Sequence, residues 1–217
     1  MDVSPQNVFR LFGNVWVTDT VVSTWVMMLL IVVGVWIIRR RLPMALELLI
    51  EGLADMASDV MGEERAYTYL PFLGSLAIFI AVANSVGFVP LLIAPTRDIN
   101  TPLALAIVVF FAVHYYGIKK KGVLKYLKDL AAPIYLLPLT LPLELIGQLS
   151  RTLSLTLRLF GNIVSAELVV AVILSLVPLV VHIPILGLSL FTGLLQAYIF
   201  TMLATVYINS AVQEIDY

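Results

Sequence analysis

From Ala131 to Gln213 four residues carry a formal charge: Glu144, Arg151, Arg158 and Glu167. The rest of that stretch is apolar enough to sit in lipid, where a charged side chain costs at least ~2.5–3.5 kcal/mol. Each of the four is therefore a functional group or half of a structural ion pair. Glu144, Arg151 and Arg158 are spaced by sevens, so at ~100° per residue they share one helix face, drifting ~20° per step. Glu167 comes nine residues after Arg158, about 900° further round and hence on the opposite face. Along one regular helix these two cannot satisfy each other. No acid stands three or four residues from Arg158; its i−4 and i+4 neighbours are Ser154 and Asn162, which keep the guanidinium accessible and partly hydrated. A guanidinium stays protonated, so Arg158 is a permanent cation that attracts carboxylates, excludes other cations and relays no protons. It also keeps a proton-carrying carboxyl group from remaining neutral beside it. Glu167 is the reverse case, a titratable group able to accept and pass an ion. Gln196, polar at depth on the last helix, is an expected hydrogen-bond partner for Arg158.

Several other polar residues admit two readings. Glu144 and Arg151 form either a two-turn ion pair near the interface or part of an ion path. His182, bracketed by Pro178 and Pro184, is either a solvated turn residue or a proton relay. Asn84 lines a water path or glues helices together. His114, near the end of an apolar run, reads as interfacial.

The elements that carry these groups follow from composition. Of 217 residues 61% are apolar and 12% charged, and the mean hydropathy is +1.02. A soluble domain carries about twice that charge fraction, so the chain reads as an integral membrane protein surrounded by lipid. The net charge of −1 excludes nucleic-acid binding driven by bulk basicity. With zero Cys, disulfides, thiolate metal sites and thiol catalysis are excluded together. No metal and no cofactor is expected.

The gaps between charges set the architecture. Residues 20–38 are uncharged and followed by Arg39, Arg40 and Arg41, which predicts a first span with its N-terminus outside. The charge follows the apolar run rather than preceding it, so the segment reads as an anchor and not a cleaved signal. Residues 43–64 carry Glu47, Glu51, Asp55, Asp59 and Glu63 every four residues, the pattern of an amphipathic surface helix. Its acidic stripe is either solvated or docks a basic partner. Residues 66–121 read as a transmembrane hairpin turning near Pro90 and Pro95, with Arg97 and Asp98 marking an outside loop. Lys119, Lys120 and Lys121 close it on the cytoplasmic side. Residues 133–213 then form a helix pair, each helix longer than a perpendicular span needs and so steeply tilted. The fold class is all-α, in a single membrane domain over 1–217, with the C-terminus cytoplasmic.

The run SLTLRLFGN (Ser154 to Asn162), followed by Glu167 and by LQAYIFTMLATVYI (Leu195 to Ile208), resembles the membrane stator subunit a of F-type ATP synthases. APTRDINTPLALA (Ala94 to Ala106) and the Lys-Lys-Lys-Gly after the third span agree with it. The wording is similar to the bacterial and plastid branch. The resemblance implies a chain lying along a rotating ring of c subunits, with peripheral stalk b subunits as further partners and the F1 sector engaged indirectly. It makes Arg158 the essential arginine that faces the ring carboxylates and blocks a direct leak between two offset half-channels for protons or sodium ions. Glu167 then belongs to the outer half-channel, Glu144 and Ser154 to the cytoplasmic one. Asn162 and Gln196 are polar neighbours of the arginine, and Asn84 a polar residue of the outer path. The resemblance further implies that the chain is a component of a proton-transporting two-sector ATP synthase and that its own work is not bond-making. The implied location is the bacterial plasma membrane, with the thylakoid as alternative.

Two features depart from the pattern. Many bacterial members carry an ionisable residue seven positions before the glutamine of the last helix; here Ser189 stands there, leaving His182 as a candidate aid to Glu167. Arg10 to Asn14 repeats RLFGN, but without matching flanks or a span it reads as coincidence. Two rivals remain. A self-contained secondary transporter would show paired repeats, and nothing resembles a second copy of residues 142–213. Three usual designs of an intramembrane hydrolase need Cys, H-E-x-x-H or two Asp at membrane depth, none of which the sequence offers, although a serine protease stays compatible with composition. The chain has no G-x-x-x-x-G-K-[ST] and so no P-loop for nucleotide.

Overall fold

A charge-free run of some twenty residues can satisfy its backbone polar groups inside hydrocarbon only by forming a helix or joining a closed barrel. The computed structural model, which describes residues 7–12, 15–87, 94–130, 137–176 and 182–213, is built of helices wherever such runs occur. Gly13, Asn14, Pro90 and Pro178, which entered the sequence reading, lie outside the described residues. The helices are α1 (Asp19–Arg41), α2 (Pro43–Met61), α3 (Glu63–Val86), α4 (Asn100–Lys121), α5 (Val123–Leu130), α6 (Leu137–Leu176) and α7 (His182–Val212), with a 3₁₀ turn at Pro95–Arg97 between α3 and α4. Five of them, α1, α3, α4, α6 and α7, are long and apolar enough to cross a membrane. The chain is a multi-pass, all-α integral membrane protein.

One small addition precedes the helices: an antiparallel ribbon of β1 (Asn7–Phe12) and β2 (Val15–Thr18). It places Arg10 to Phe12 in a strand, whereas the same tripeptide at Arg158 to Phe160 lies inside α6. Context, not the shared letters, decides the backbone there.

Helix ends have local causes. Gly62 separates α2 from α3 and Gly122 separates α4 from α5, each at φ 81° with ψ near 155°, a region essentially reserved for glycine. Each donates its N–H to the helix before it, Gly62 to the Ser58 carbonyl at 2.9 Å and Gly122 to the Ile118 carbonyl at 2.8 Å. Gly62 also cuts the acidic stripe: Glu63 and Glu64 belong to the first turn of α3, where carboxylates suit the positive end of the helix dipole. Glu47, Glu51, Asp55 and Asp59 stay exposed on α2, while Met56, Ala57 and Met61 are buried.

α7 is the centre of the bundle. It packs along α3, α4 and α6 and also meets α2, and Phe200, Ala204 and Ile208 on it are fully buried against Leu73, Ile80 and Leu159. α3 and α4 meet edge to face at Tyr69 and Tyr116, ring centroids 4.9 Å apart. α1 stands apart, with Met27 buried against Ala83 and Val86 and Trp25, Leu29 and Val32 exposed, as suits a lipid-facing helix. At 40 residues α6 rises about 60 Å, roughly twice a ~30 Å hydrocarbon core.

Candidate functional site

Arg158 lies on the exposed side of α6, where Leu153, Ser154 and Leu157 are exposed as well. Its Nη2 donates to Ser154 Oγ at 3.5 Å, the long limit of a hydrogen bond. Among the described residues Arg158 forms no ion pair. The i−4 serine thus makes the contact its spacing allowed. Asn162 Nδ2 donates to the Thr192 carbonyl at 3.4 Å, tying α6 to α7. Gln196 does not reach Arg158: it is 94% buried in α7 by its 6% exposure, and its Nε2 has no hydrogen-bond partner.

Glu167 stands on a different side of α6 and borders a cavity of about 270 Å³. Asn84, Arg97, Glu167 and Ser189 supply its polar lining, from α3, the 3₁₀ turn, α6 and α7 respectively. Arg97 Nε lies 3.1 Å from Glu167 Oε2, an ion pair, but the N–H is not aligned on the oxygen and makes no hydrogen bond. Asn84 is buried and doubly held: its Nδ2 donates to the Gly193 carbonyl at 2.9 Å, and Thr96 Oγ1 donates to its Oδ1 at 3.0 Å. A Cβ on Gly193 would stand 3.1 Å from the Asn84 Cβ, so glycine there allows the close approach of α7 to α3. The asparagine is helix glue and cavity wall at once. Ser189 lines the same space as Glu167, whereas the His182 side chain lies outside the described residues.

Glu144 borders a second cavity, of about 540 Å³, near the other end of α6. Gln148 Nε2 donates to Glu144 Oε1 at 3.2 Å, and Arg151 Nη1 lies 3.9 Å from the same oxygen. With both side chains more than a third exposed, such a pair is worth little beyond orientation. Arg151 also sits 5.5 Å above the Tyr207 ring. Lys121 and Asp129, 2.8 Å apart and largely buried, close the cavity from α4 and α5. Tyr126 of α5 lines it too, and burial, then the Glu144 charge, pushes its phenol above the usual value. His114, expected at an interface, bonds through Nδ1 to the Phe110 carbonyl at 2.8 Å.

Two participants escaped the sequence reading. Arg97 looked like a loop marker, because nothing local ties it to a glutamate on a distant helix. The Lys121–Asp129 pair was hidden inside a basic cluster read only for orientation. A lone arginine in a Pro-Thr-Arg-Asp turn between two long apolar runs was the one available signal. Arg158 lines neither cavity. Along α6 it lies about 21 Å from Glu144 and about 13.5 Å from Glu167, at 1.5 Å rise per residue.

The sequence aligns along nearly its whole length with known proteins. The chain is 42% identical over 224 residues to ATP synthase subunit a 2 of Bradyrhizobium sp., covering 99% of each protein. It is 42% identical over 226 residues to ATP synthase subunit a 2 of Picosynechococcus sp., covering 99% of this chain and 95% of the relative. To ATP synthase subunit a of Nitrosospira multiformis it is 40% identical over 224 residues, covering 99% and 88%. Residues 20–209 match the family described as ATP synthase A chain. On that match and on near full-length identities of this size, the chain belongs to the ATP synthase A chain family.

Proposed function

We propose that the chain is the stator half of a rotary ion path, with two offset half-channels that load and unload the carboxylates of a rotating c-ring and so couple ion flow to ATP synthesis. The observation that carries this is Arg158: a permanent cation, exposed on a membrane helix, without an acidic partner among the described residues, and set along α6 between two separate polar cavities. A cation so placed has a carboxylate partner elsewhere, and a passing ring supplies one at each step.

An ion enters from the outer side through the cavity at Asn84, Glu167 and Ser189 and neutralises a ring carboxylate. The ring carries it round as a neutral carboxyl through lipid. It leaves by the cavity at Glu144, because Arg158 stabilises the carboxylate left behind and repels a cation taking the short way between the cavities. Each charge crossing 100 mV contributes roughly 2.3 kcal/mol, so several are needed per ATP. By the positive-inside bias the basic ends of α1 and α4 support an N-terminus outside and a Glu144 cavity on the cytoplasmic side, which fits a bacterial plasma membrane. The acidic face of α2 is the docking side for the b subunits of the peripheral stalk, and the F1 sector is reached through them.

Arg158→Ala is expected to abolish ion-driven ATP synthesis in membranes while the complex still assembles. Retained coupling would overturn the reading, as would ion flux through the purified chain alone in liposomes.

A further inference from the structure

Arg97 is held in place rather than displayed on a loose loop. Its 3₁₀ turn is fastened to α3 by the buried Thr96–Asn84 hydrogen bond. It is fastened to α1 by Thr20 Oγ1 donating to Asp98 Oδ2 at 3.2 Å, and to α4 by the Asn100 N–H and Nδ2 donating to Asp98 Oδ1 at 3.1 and 2.9 Å. The turn N–H of Arg97 itself bonds the Ala94 carbonyl at 3.0 Å. The guanidinium so positioned has its Nε buried, 3.1 Å from Glu167 Oε2, at the wall of the cavity both residues line.

We infer that Arg97 is a positioning residue for ion uptake: a fixed counter-cation that an incoming cation must displace from Glu167. The inference rests on the reading of Glu167 as the outer entry group. The geometry favours displacement over a permanent lock. The pair is close but not hydrogen-bonded, and the carboxylate is 41% exposed toward the cavity. A bidentate, aligned pair would hold the carboxylate too well to exchange, whereas an unaligned one keeps it charged and replaceable. Among the described residues, the other charged group near the turn, Asp98, is engaged by Thr20 and Asn100. Arg158 occupies another face of α6 and lines a different surface. From α3 and α7 the groups facing Glu167 across the cavity, Asn84 and Ser189, are uncharged. The displaced partner therefore is Arg97.

A competitor for a site raises the concentration of ligand needed to fill it. Removing Arg97 should thus lower the half-saturating outer-side concentration of the driving cation by about tenfold, the effect of one charge interaction worth a pK unit, while release to the ring slows and the maximal rate falls. The test is ATP synthesis by the whole complex in inverted membrane vesicles. In one arm outer-side pH is varied without sodium; in the other sodium is varied at fixed pH, so that the arm showing saturation identifies the cation. Wild type is compared with Arg97→Gln, Arg97→Lys, Glu167→Gln and the double variant Arg97→Gln/Glu167→Gln. The expected result is a leftward shift for Arg97→Gln, near-normal behaviour for Arg97→Lys, and no further shift from Arg97→Gln once Glu167 is Gln. A lowered rate with unchanged half-saturation, or failure of Lys to restore it, would leave Arg97 a structural residue and overturn the inference. If Glu167→Gln itself leaves half-saturation unchanged, the reading of Glu167 fails first, and the inference with it.

Discussion

Both ends of the Asn84 amide are taken, one by the Gly193 carbonyl and one by the Thr96 hydroxyl. Replacing it by Leu keeps the number of side-chain heavy atoms but removes both bonds and leaves the buried Thr96 hydroxyl without its acceptor, at about 1–3 kcal/mol. Asn84→Leu is therefore expected to lower the thermal unfolding midpoint of the detergent-solubilised protein and to loosen the 3₁₀ turn that presents Arg97. Thermal unfolding monitored by circular dichroism, beside an Asn84→Gln control, checks it; an unchanged midpoint would show that water replaces the lost bonds. At this scale the sequence was informative where the chemistry is local. Arg158 lacked an acid at helical spacing and had Ser154 at i−4, and the structure shows that serine contact and, among the described residues, no ion pair to the cation. It was silent where chemistry is assembled from distant elements. Arg97 and Glu167 meet only because α3, α6 and the turn fold together, and Gln196 was aimed at Arg158 by sequence position alone, whereas packing buries it in α7.

Single-residue joints set the helix ends on one side of the bundle. Gly62 and Gly122, both at φ 81°, leave open space where a Cβ would stand, so the obstacle to replacement is backbone conformation and not crowding. Gly62→Ala and Gly122→Ala are each expected to cost about 1–3 kcal/mol, seen as faster hydrogen exchange in α2 for the first and in α5 for the second. A change spread evenly over all helices would contradict a local hinge cost. The spans were legible because hydrocarbon allows little besides helix between charged stops. Two features were not. The joint at Gly62 shortens the acidic stripe, which a strict four-residue spacing had carried through to Glu63. The eight-residue α5 was concealed by lysines that had been read as a stop signal. Tyr126 on α5 packs against Gly117, where a Cβ would fall 2.5 Å from its ring, and that contact is tertiary, not a matter of propensity.

Among its described residues the molecule has five candidate spans, with clusters of basic residues at the ends of α1 and α4. Since the chain contains no Cys, single cysteines report sidedness without a background. Lys120→Cys is expected to react with an impermeant maleimide from the cytoplasmic side and Ile99→Cys from the outer side; the reverse pattern would invert the topology and exchange the roles of the two cavities. The order of spans was readable from charge, but the arrangement was not, since no periodicity says that α7 would lie among α3, α4 and α6. That central place has a consequence for biosynthesis. Membrane helices insert one by one and associate afterwards, and the helix that binds the others together is the last of them to leave the ribosome. Until it arrives, α3 rests on α2 and α4 on α6, but α3 and α4 share little more than an aromatic edge, so the two pairs wait for α7 to join them. A message cut short before codon 182 yields a set of inserted helices without their keystone, fit for membrane proteases and not for assembly into the complex.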